Sequence, residues 1–142
     1  MTMPLLLALA FQMSTPELDA LAREINCGDP RTQGDMNVCA SIDFQRADLA
    51  LNAAYRTAIA RAQRNDRELR PRDGDGDTRP GYEAVLRAAQ RAWLTYREQH
   101  CTWQGYNEAR GGTMEPMSYS ACLAATTAAR TEELTGQGGA AE

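Results

Sequence analysis

Cysteine and histidine are the residue types of this chain that could carry the most chemistry, and their spacing limits what they can do. The 142-residue sequence has four cysteines, Cys27, Cys39, Cys101 and Cys122, and a single histidine, His100. Zinc sites use closely paired ligands such as Cys-x-x-Cys, whereas the nearest two cysteines here have eleven residues between them. An even number of separated cysteines indicates two disulfides in an oxidising compartment, with four buried free thiols as the alternative.

Other arrangements typical of enzymes are missing from the sequence. It has no Gly-x-Ser-x-Gly elbow, no glycine-rich phosphate loop and no His-Glu-x-x-His motif. Cys101 and His100 are adjacent, so on a helix their side chains point about 100° apart and do not form a dyad. The acidic run at residues 73–77 fails as an EF-hand loop, because Thr78 and Ala84 stand where glycine and glutamate are required. We therefore expect a protein that is not an enzyme and that uses no cofactor or metal.

Composition and charge exclude further classes of function. The chain is 43% hydrophobic and 24% charged, as in ordinary globular proteins, and its length suits one domain. A net charge of -4 argues against general nucleic-acid binding, which needs a basic face, and is compatible with a basic protein partner. The apolar run at residues 5–11 is too short to span a bilayer.

The spacing of apolar residues predicts three helices. The first begins after Thr32, a plausible N-cap with Asp35 in the first turn, and ends near residues 63–65. A loop rich in glycine, proline and aspartate follows at residues 70–81. The second helix extends to Gly111, and the third covers about residues 117–134. One stripe of the second helix is predicted to be its core face: Tyr82, Val85, Leu86, Ala89, Trp93, Tyr96, His100 and Trp103.

We therefore predict an all-α fold, a small antiparallel bundle of about three helices joined by two disulfides. This topology brings all four cysteines to one end of the bundle. Three pairings remain open. Pairing Cys27 with Cys101 and Cys39 with Cys122 is favoured, because it would connect the leader to all three helices.

The two ends of the chain are expected to lie outside the helical domain. Residues 1–26 are interpreted as a leader, and its apolar run with a small-x-small sequence suggests a clipped signal peptide ending near residue 10. A short apolar segment of a cytosolic protein is the alternative. Residues 136–142 are expected to form a flexible tail.

Polar residues interrupt the apolar pattern in an ordered series of motifs. The sequence reads TQGDMNVCA at residues 32–40, AD at 47–48, LNAAY at 51–55 and AQRAWLTYREQHC at 89–101. A Gly-Gly pair then precedes Cys122, Thr126 and Arg130. This series, with all four cysteines in register, resembles the LprI-like lysozyme-inhibitor family. The resemblance extends over most of the chain, and we place the domain at residues 27–135.

The resemblance implies a small exported helical protein of the bacterial envelope, periplasmic or secreted, that binds and inhibits lysozyme. The alternative is an envelope interaction module of the same fold with no effect on lysozyme. The polar signature consists of Thr32, Gln33, Asn37, Asp48, Asn52, Gln90, Arg91, Arg97 and Arg130. These residues either hold the helices together through a polar network or form a recognition surface. The turn containing Gly111, Gly112 and Glu115 is the candidate recognition loop, and the aspartate-rich loop at residues 70–81 is the other loop available.

Overall fold

The computed structural model describes residues 12–69 and 74–136, and this part of the chain forms four α-helices. They are α1 (Thr15–Ile25), α2 (Gln33–Glu68), α3 (Tyr82–Ala109) and α4 (Glu115–Thr135). The described residues contain no strand, so the all-α prediction is confirmed, but the expected number of helices was one too low. The predicted signal segment and the predicted tail after residue 136 lie outside the described residues.

The additional helix, α1, lies in the segment predicted to be a leader. The Glu17 carboxylate accepts hydrogen bonds from the backbone N–H and the hydroxyl of Ser14 at 2.7 and 2.6 Å, and the hydroxyl bond in particular lowers the pKa of Glu17. Leu18 is fully buried, and Asp19 pairs with Arg46 of α2 at 2.6 Å. An eleven-residue helix has too short a periodic pattern to be distinguished in sequence, and it is stable here because it packs on α2.

The start of α2 follows the prediction. Thr32 Oγ1 accepts a hydrogen bond from the Asp35 N–H at 3.0 Å, and the Asp35 carboxylate accepts one from the Thr32 N–H at 3.2 Å. This reciprocal capping box satisfies two backbone donors that a helix start would otherwise leave unpaired. The helix then continues for 36 residues, a few more than expected.

The end of α2 caps the start of α3. The Asp66 carboxylate accepts hydrogen bonds from the backbone N–H groups of Tyr82 and Glu83 at 2.6 and 3.0 Å. This negative charge lies at the positive end of the α3 dipole. A Cβ atom at Gly81 would lie 2.6 Å from the Asp66 carboxylate, so any larger residue there would displace this capping group.

Helices α2, α3 and α4 form an antiparallel bundle in which α4 packs chiefly on α2 and less extensively on α3. Leu51 and Ala58 of α2 meet Leu134 of α4 at the centre of the core. Partly buried residues pack around this centre: Ala54, Tyr55, Leu86 and Trp93. The small alanine side chains of α2 let the two backbones approach closely, because helix separation depends on the side chains at the contact.

The predicted core stripe of α3 is wrong for most of its members. Four of its large residues are about half exposed: Tyr82, Val85, Tyr96 and Trp103. The buried positions of α3 are Gln90, Cys101 and Gly105 instead. The face of α3 that packs on the bundle therefore includes polar residues. The spacing of apolar residues alone could not indicate that this face is the buried one.

The favoured disulfide pairing is also wrong, although two disulfides are present. Cys27 is bonded to Cys39 and Cys101 to Cys122, with Cα–Cα distances of 5.6 and 5.4 Å. Because α1 folds back on α2, Cys27 lies beside the first turns of α2. The short α3–α4 turn likewise places Cys101 and Cys122 opposite each other. The prediction failed because it treated residues 1–26 as a leader that does not pack.

Two further properties follow from the described part of the chain. None of its helices is long and apolar enough to cross a membrane. It also places no three histidine, cysteine, aspartate or glutamate side chains where they could hold a metal ion.

Candidate functional site

Arg97 of α3 connects three helices at the middle of the bundle. Its Nη1 donates hydrogen bonds to the Asp48 carboxylate of α2 and to Thr127 Oγ1 of α4, each at 3.0 Å. The side chains of Arg97 and Asp48 are 13% and 25% exposed, so the ion pair is largely shielded from water. Shielding strengthens the attraction and also makes an unpaired charge at this place costly.

Two aromatic rings lie close to the Arg97 guanidinium. Its central carbon lies 5.1 Å from the centre of the Phe44 ring and 5.0 Å from that of Trp93. These contacts suit a planar guanidinium, which stacks on rings while it donates in its own plane. Arg97 Nε is buried without a protein hydrogen-bond partner.

A second polar link joins α3 to α4 one to two turns away. Arg130 Nε donates to Gln90 Oε1 at 3.1 Å, and Arg130 Nη1 pairs with Glu133 at 2.7 Å. Gln90 is buried and Thr127 is fully buried. Sequence reasoning selected both arginines but missed Thr127, which precedes Arg130 by three residues and therefore shares its face of α4.

The start of α2 is bonded to the α3–α4 turn. Gln33 Nε2 donates to Asn37 Oδ1 at 2.9 Å, and Asn37 Nδ2 donates to the Thr113 carbonyl at 3.0 Å. These signature residues therefore lie together at the disulfide end of the bundle, away from Arg97. Arg91 is exposed on α3, and Asn52 is partly buried one turn after Asp48.

The candidate loop is an exposed turn with its own internal bonds. Gly111 adopts a left-handed conformation with φ of 76°, which favours glycine. Its backbone N–H donates to the Glu115 carboxylate at 2.5 Å, and the Gly112 N–H donates to the Ala109 carbonyl at 2.7 Å. Glu115 is thus engaged in shaping the turn. The central carbon of the Arg110 guanidinium lies 4.7 Å from the centre of the Tyr106 ring.

Tyr119 of α4 donates its hydroxyl hydrogen to the Glu98 carboxylate of α3, at 2.8 Å from one oxygen. Partial burial and this bond raise the pKa of Tyr119 to about 12. Because the folded-state pKa lies above the usual value of about 10, this contribution to stability is fully present below pH 10. It is lost as the pH rises through 12.

We expect absorbance at 295 nm to show a tyrosine ionisation step near pH 12 that is absent from Tyr119→Phe. Circular dichroism recorded over the same range would verify that the helices persist. Identical titration curves above pH 11 for both proteins would contradict this assignment.

Three residues of the misassigned stripe, together with Tyr106, form an exposed aromatic surface on the carboxyl-terminal half of α3. Tyr96, Trp103 and Tyr106 are 55%, 57% and 46% exposed, and His100 stacks on Tyr96 with ring centres 5.2 Å apart. We call these four residues the aromatic flank. Sequence reasoning missed this surface because the same spacing is typical of a buried helix face.

The charges of the molecule are unevenly distributed along the bundle. Residues 12–51 and 96–125, the disulfide half, contain ten carboxylates and five arginines, a formal net charge of -5. The other described residues, 52–69, 74–95 and 126–136, contain seven carboxylates and eight arginines, a net charge of +1. The disulfide half therefore carries the negative charge of the molecule, and it also carries the aromatic flank and the α3–α4 turn.

The surface of the described residues also has two concave regions. A groove of about 1060 Å³ lies between α2, α3 and α4 in the other half, with Leu69, Val85 and Leu134 among its apolar lining. A polar cleft of about 510 Å³ lies beside the Cys27–Cys39 disulfide, between α1 and α2. Arg130 and Glu133, which also line the larger groove, are paired with each other.

Comparison with known proteins agrees with the motifs. No solved structure matches this chain. An uncharacterized protein of Rhizobium meliloti (strain 1021) is 43% identical over 123 residues, which are 84% of this chain and 84% of that protein. The family model described as lysozyme inhibitor LprI matches residues 26–134, a span that includes all four cysteines. The chain therefore belongs to the LprI lysozyme-inhibitor family.

Proposed function

We propose that this protein is an exported inhibitor that binds lysozyme and blocks its cleft, acting by binding rather than by catalysis. Membership of the family supports a protein partner of this kind. The two disulfides support an oxidising location, the periplasm or the outside of the cell, because such bonds persist there and are rare in the cytosol.

The observation that carries the proposal is the α3–α4 turn at the acidic end of the bundle. Residues 110–114 of this turn are largely exposed, yet they are bonded to Glu115 and, through Thr113, to Asn37 of α2. A loop whose shape is fixed by internal bonds before binding loses little conformational entropy on binding. The turn is therefore suited to insertion into a cleft.

The charge distribution also supports binding of lysozyme at the disulfide half, where the turn lies. Lysozymes are commonly basic, and a net charge of -5 on the disulfide half would accelerate their encounter with this end. The cleft of a glycosidase contains two carboxylates. Arg110, held against the Tyr106 ring at the edge of the turn, offers a guanidinium that can pair with a carboxylate. We propose that this turn enters the cleft with Arg110 directed at those carboxylates.

Isothermal titration calorimetry of the oxidised protein against chicken-type lysozyme tests this proposal. We expect a one-to-one complex, and Arg110→Gln should weaken it by about 10-fold or more if a charge-assisted bond is lost. Arg31→Gln is the matched control, because Arg31 is an exposed arginine of the same half, paired with Asp29. If no complex forms with several lysozyme types at large molar excess, the proposal is wrong and an envelope interaction module is favoured.

A further inference from the structure

The aromatic flank has the residue pattern of a buried helix face, but nothing in the described chain covers it. Helix α3 packs on α4 and α2 through the face that contains Gln90, Arg97 and Cys101. Tyr96, Trp103 and Tyr106 lie to one side of that face, each about half exposed. Large aromatic residues grouped on a monomer surface indicate an interaction site more often than isolated exposed ones do.

The composition of the flank is that of an energetic centre in a protein–protein interface. Tryptophan and tyrosine are enriched among the residues that contribute most to binding, because they bury a large area and lose few rotamers. The rings are also partly ordered in advance. His100 stacks on Tyr96, and the Arg110 guanidinium lies over Tyr106. Restraint of these side chains reduces the entropy lost on binding.

Charge identifies the kind of partner. The flank lies on the disulfide half, whose formal net charge is -5. Two copies of this chain meeting through their flanks would bring two such halves together, which repulsion opposes. A cationic protein surface would be attracted instead. The flank is also contiguous along α3 with the α3–α4 turn that follows Ala109.

We infer that the aromatic flank is a docking surface for a cationic protein, and that Trp103 is its principal contact. This inference rests on the proposed function, since it takes lysozyme as the partner, and it adds a second contact region beside the turn. The turn enters the cleft, whereas the flank packs against the basic surface next to it. The aromatic side chains would then supply the buried apolar centre of the interface, and the net negative charge of the disulfide half would attract the partner.

The test compares two exposed aromatic residues of the same helix. Trp103→Ala removes the centre of the flank, and Tyr82→Ala removes an aromatic side chain that is 49% exposed in the half with a net charge of +1. Neither substitution removes a buried side chain, so both proteins are expected to fold, and thermal unfolding verifies this. Binding of chicken-type lysozyme is measured by calorimetry at low and high sodium chloride concentrations. Lysozyme with acetylated lysines serves as a probe of lower positive charge.

We expect Trp103→Ala to weaken lysozyme binding by about 30-fold or more, and Tyr82→Ala by less than about 2-fold. Wild-type binding should weaken at high salt and with acetylated lysozyme. If the wild-type protein binds and Trp103→Ala binds equally well, the docking surface is wrong while the proposed function stands. If the wild-type protein binds no lysozyme, both are wrong.

Two other outcomes would identify a different occupant and so overturn the inference. If sedimentation detects a wild-type dimer that Trp103→Ala abolishes, the flank joins two copies of this chain instead. Co-sedimentation with insoluble cell-wall glycan that depends on Trp103, without lysozyme binding, would assign the flank to carbohydrate.

Discussion

Arg97→Ala is expected to lower the free energy of unfolding by about 3–4 kcal/mol, because it removes one partner of a shielded ion pair and leaves the other charge behind. The Asp48 carboxylate would lose its bond to the guanidinium, and Thr127 would lose a donor. The rings of Phe44 and Trp93 would each lose their contact with the guanidinium. We propose that this network is structural, holding α2, α3 and α4 in register.

Urea denaturation followed by circular dichroism measures this effect. Arg91→Ala is the matched control, because Arg91 is an exposed arginine of the same helix, and it should change stability by less than about 0.5 kcal/mol. Arg97→Lys should give an intermediate loss, since an ammonium keeps the charge but cannot stack as a plane. Equal stability of Arg97→Ala and Arg91→Ala, with lysozyme binding lost only in the former, would show that Arg97 is a contact residue instead.

Removal of the Cys101–Cys122 disulfide, by replacing both cysteines with alanine, is expected to cost about 3 kcal/mol of unfolding free energy. The bond closes a segment with a sequence separation of 21, and loop-closure entropy gives a value of this size. Cys101 is completely buried between α3 and α4, so the substitution also leaves a small void in the packing.

Removal of the Cys27–Cys39 disulfide is expected to destabilise a different part of the molecule. The loop-closure term is similar, but this bond attaches α1 to the first turns of α2. Hydrogen exchange should therefore show lost protection in α1 for this variant, and across α3 and α4 for the other. The same exchange pattern for both variants would contradict these assignments.

The sequence predicted the parts of the fold that depend on local chemistry. The Thr32 N-cap with Asp35 in the first turn requires only residues three positions apart, and its prediction is confirmed. The second bond, from the Thr32 N–H to the Asp35 carboxylate, was not predicted. The long helices were likewise predicted, because their patterns extend over many turns. Helix α1 was not, because its stability depends on the packing of Leu18 and the pairing of Asp19 with Arg46. Once α1 was missed, the Cys27 partner could not be assigned correctly.

The candidate site likewise has a part that the sequence predicted and a part that it did not. The motifs selected Asp48, Arg97, Gln90 and Arg130, and the structure places these side chains in two bonded groups. The aromatic flank could not be predicted, because a sequence pattern does not distinguish a face that packs inside the molecule from one that packs on a partner. The polar residues of α3 could have indicated this surface. When the face with Gln90 and Arg97 packs on the bundle, Tyr96 and Trp103 face outward.

Lysozyme-driven clearance of a bacterial cell-wall suspension tests the central claim most directly. The oxidised protein, from residue 11 onward, is titrated into the assay beside a reduced and alkylated sample. The account predicts dose-dependent protection of the suspension by the oxidised protein, lost on reduction because the disulfides hold the α3–α4 turn and α1 in place. Undiminished clearance at a large molar excess, for several lysozyme types and at low and high salt, would contradict inhibition by this protein.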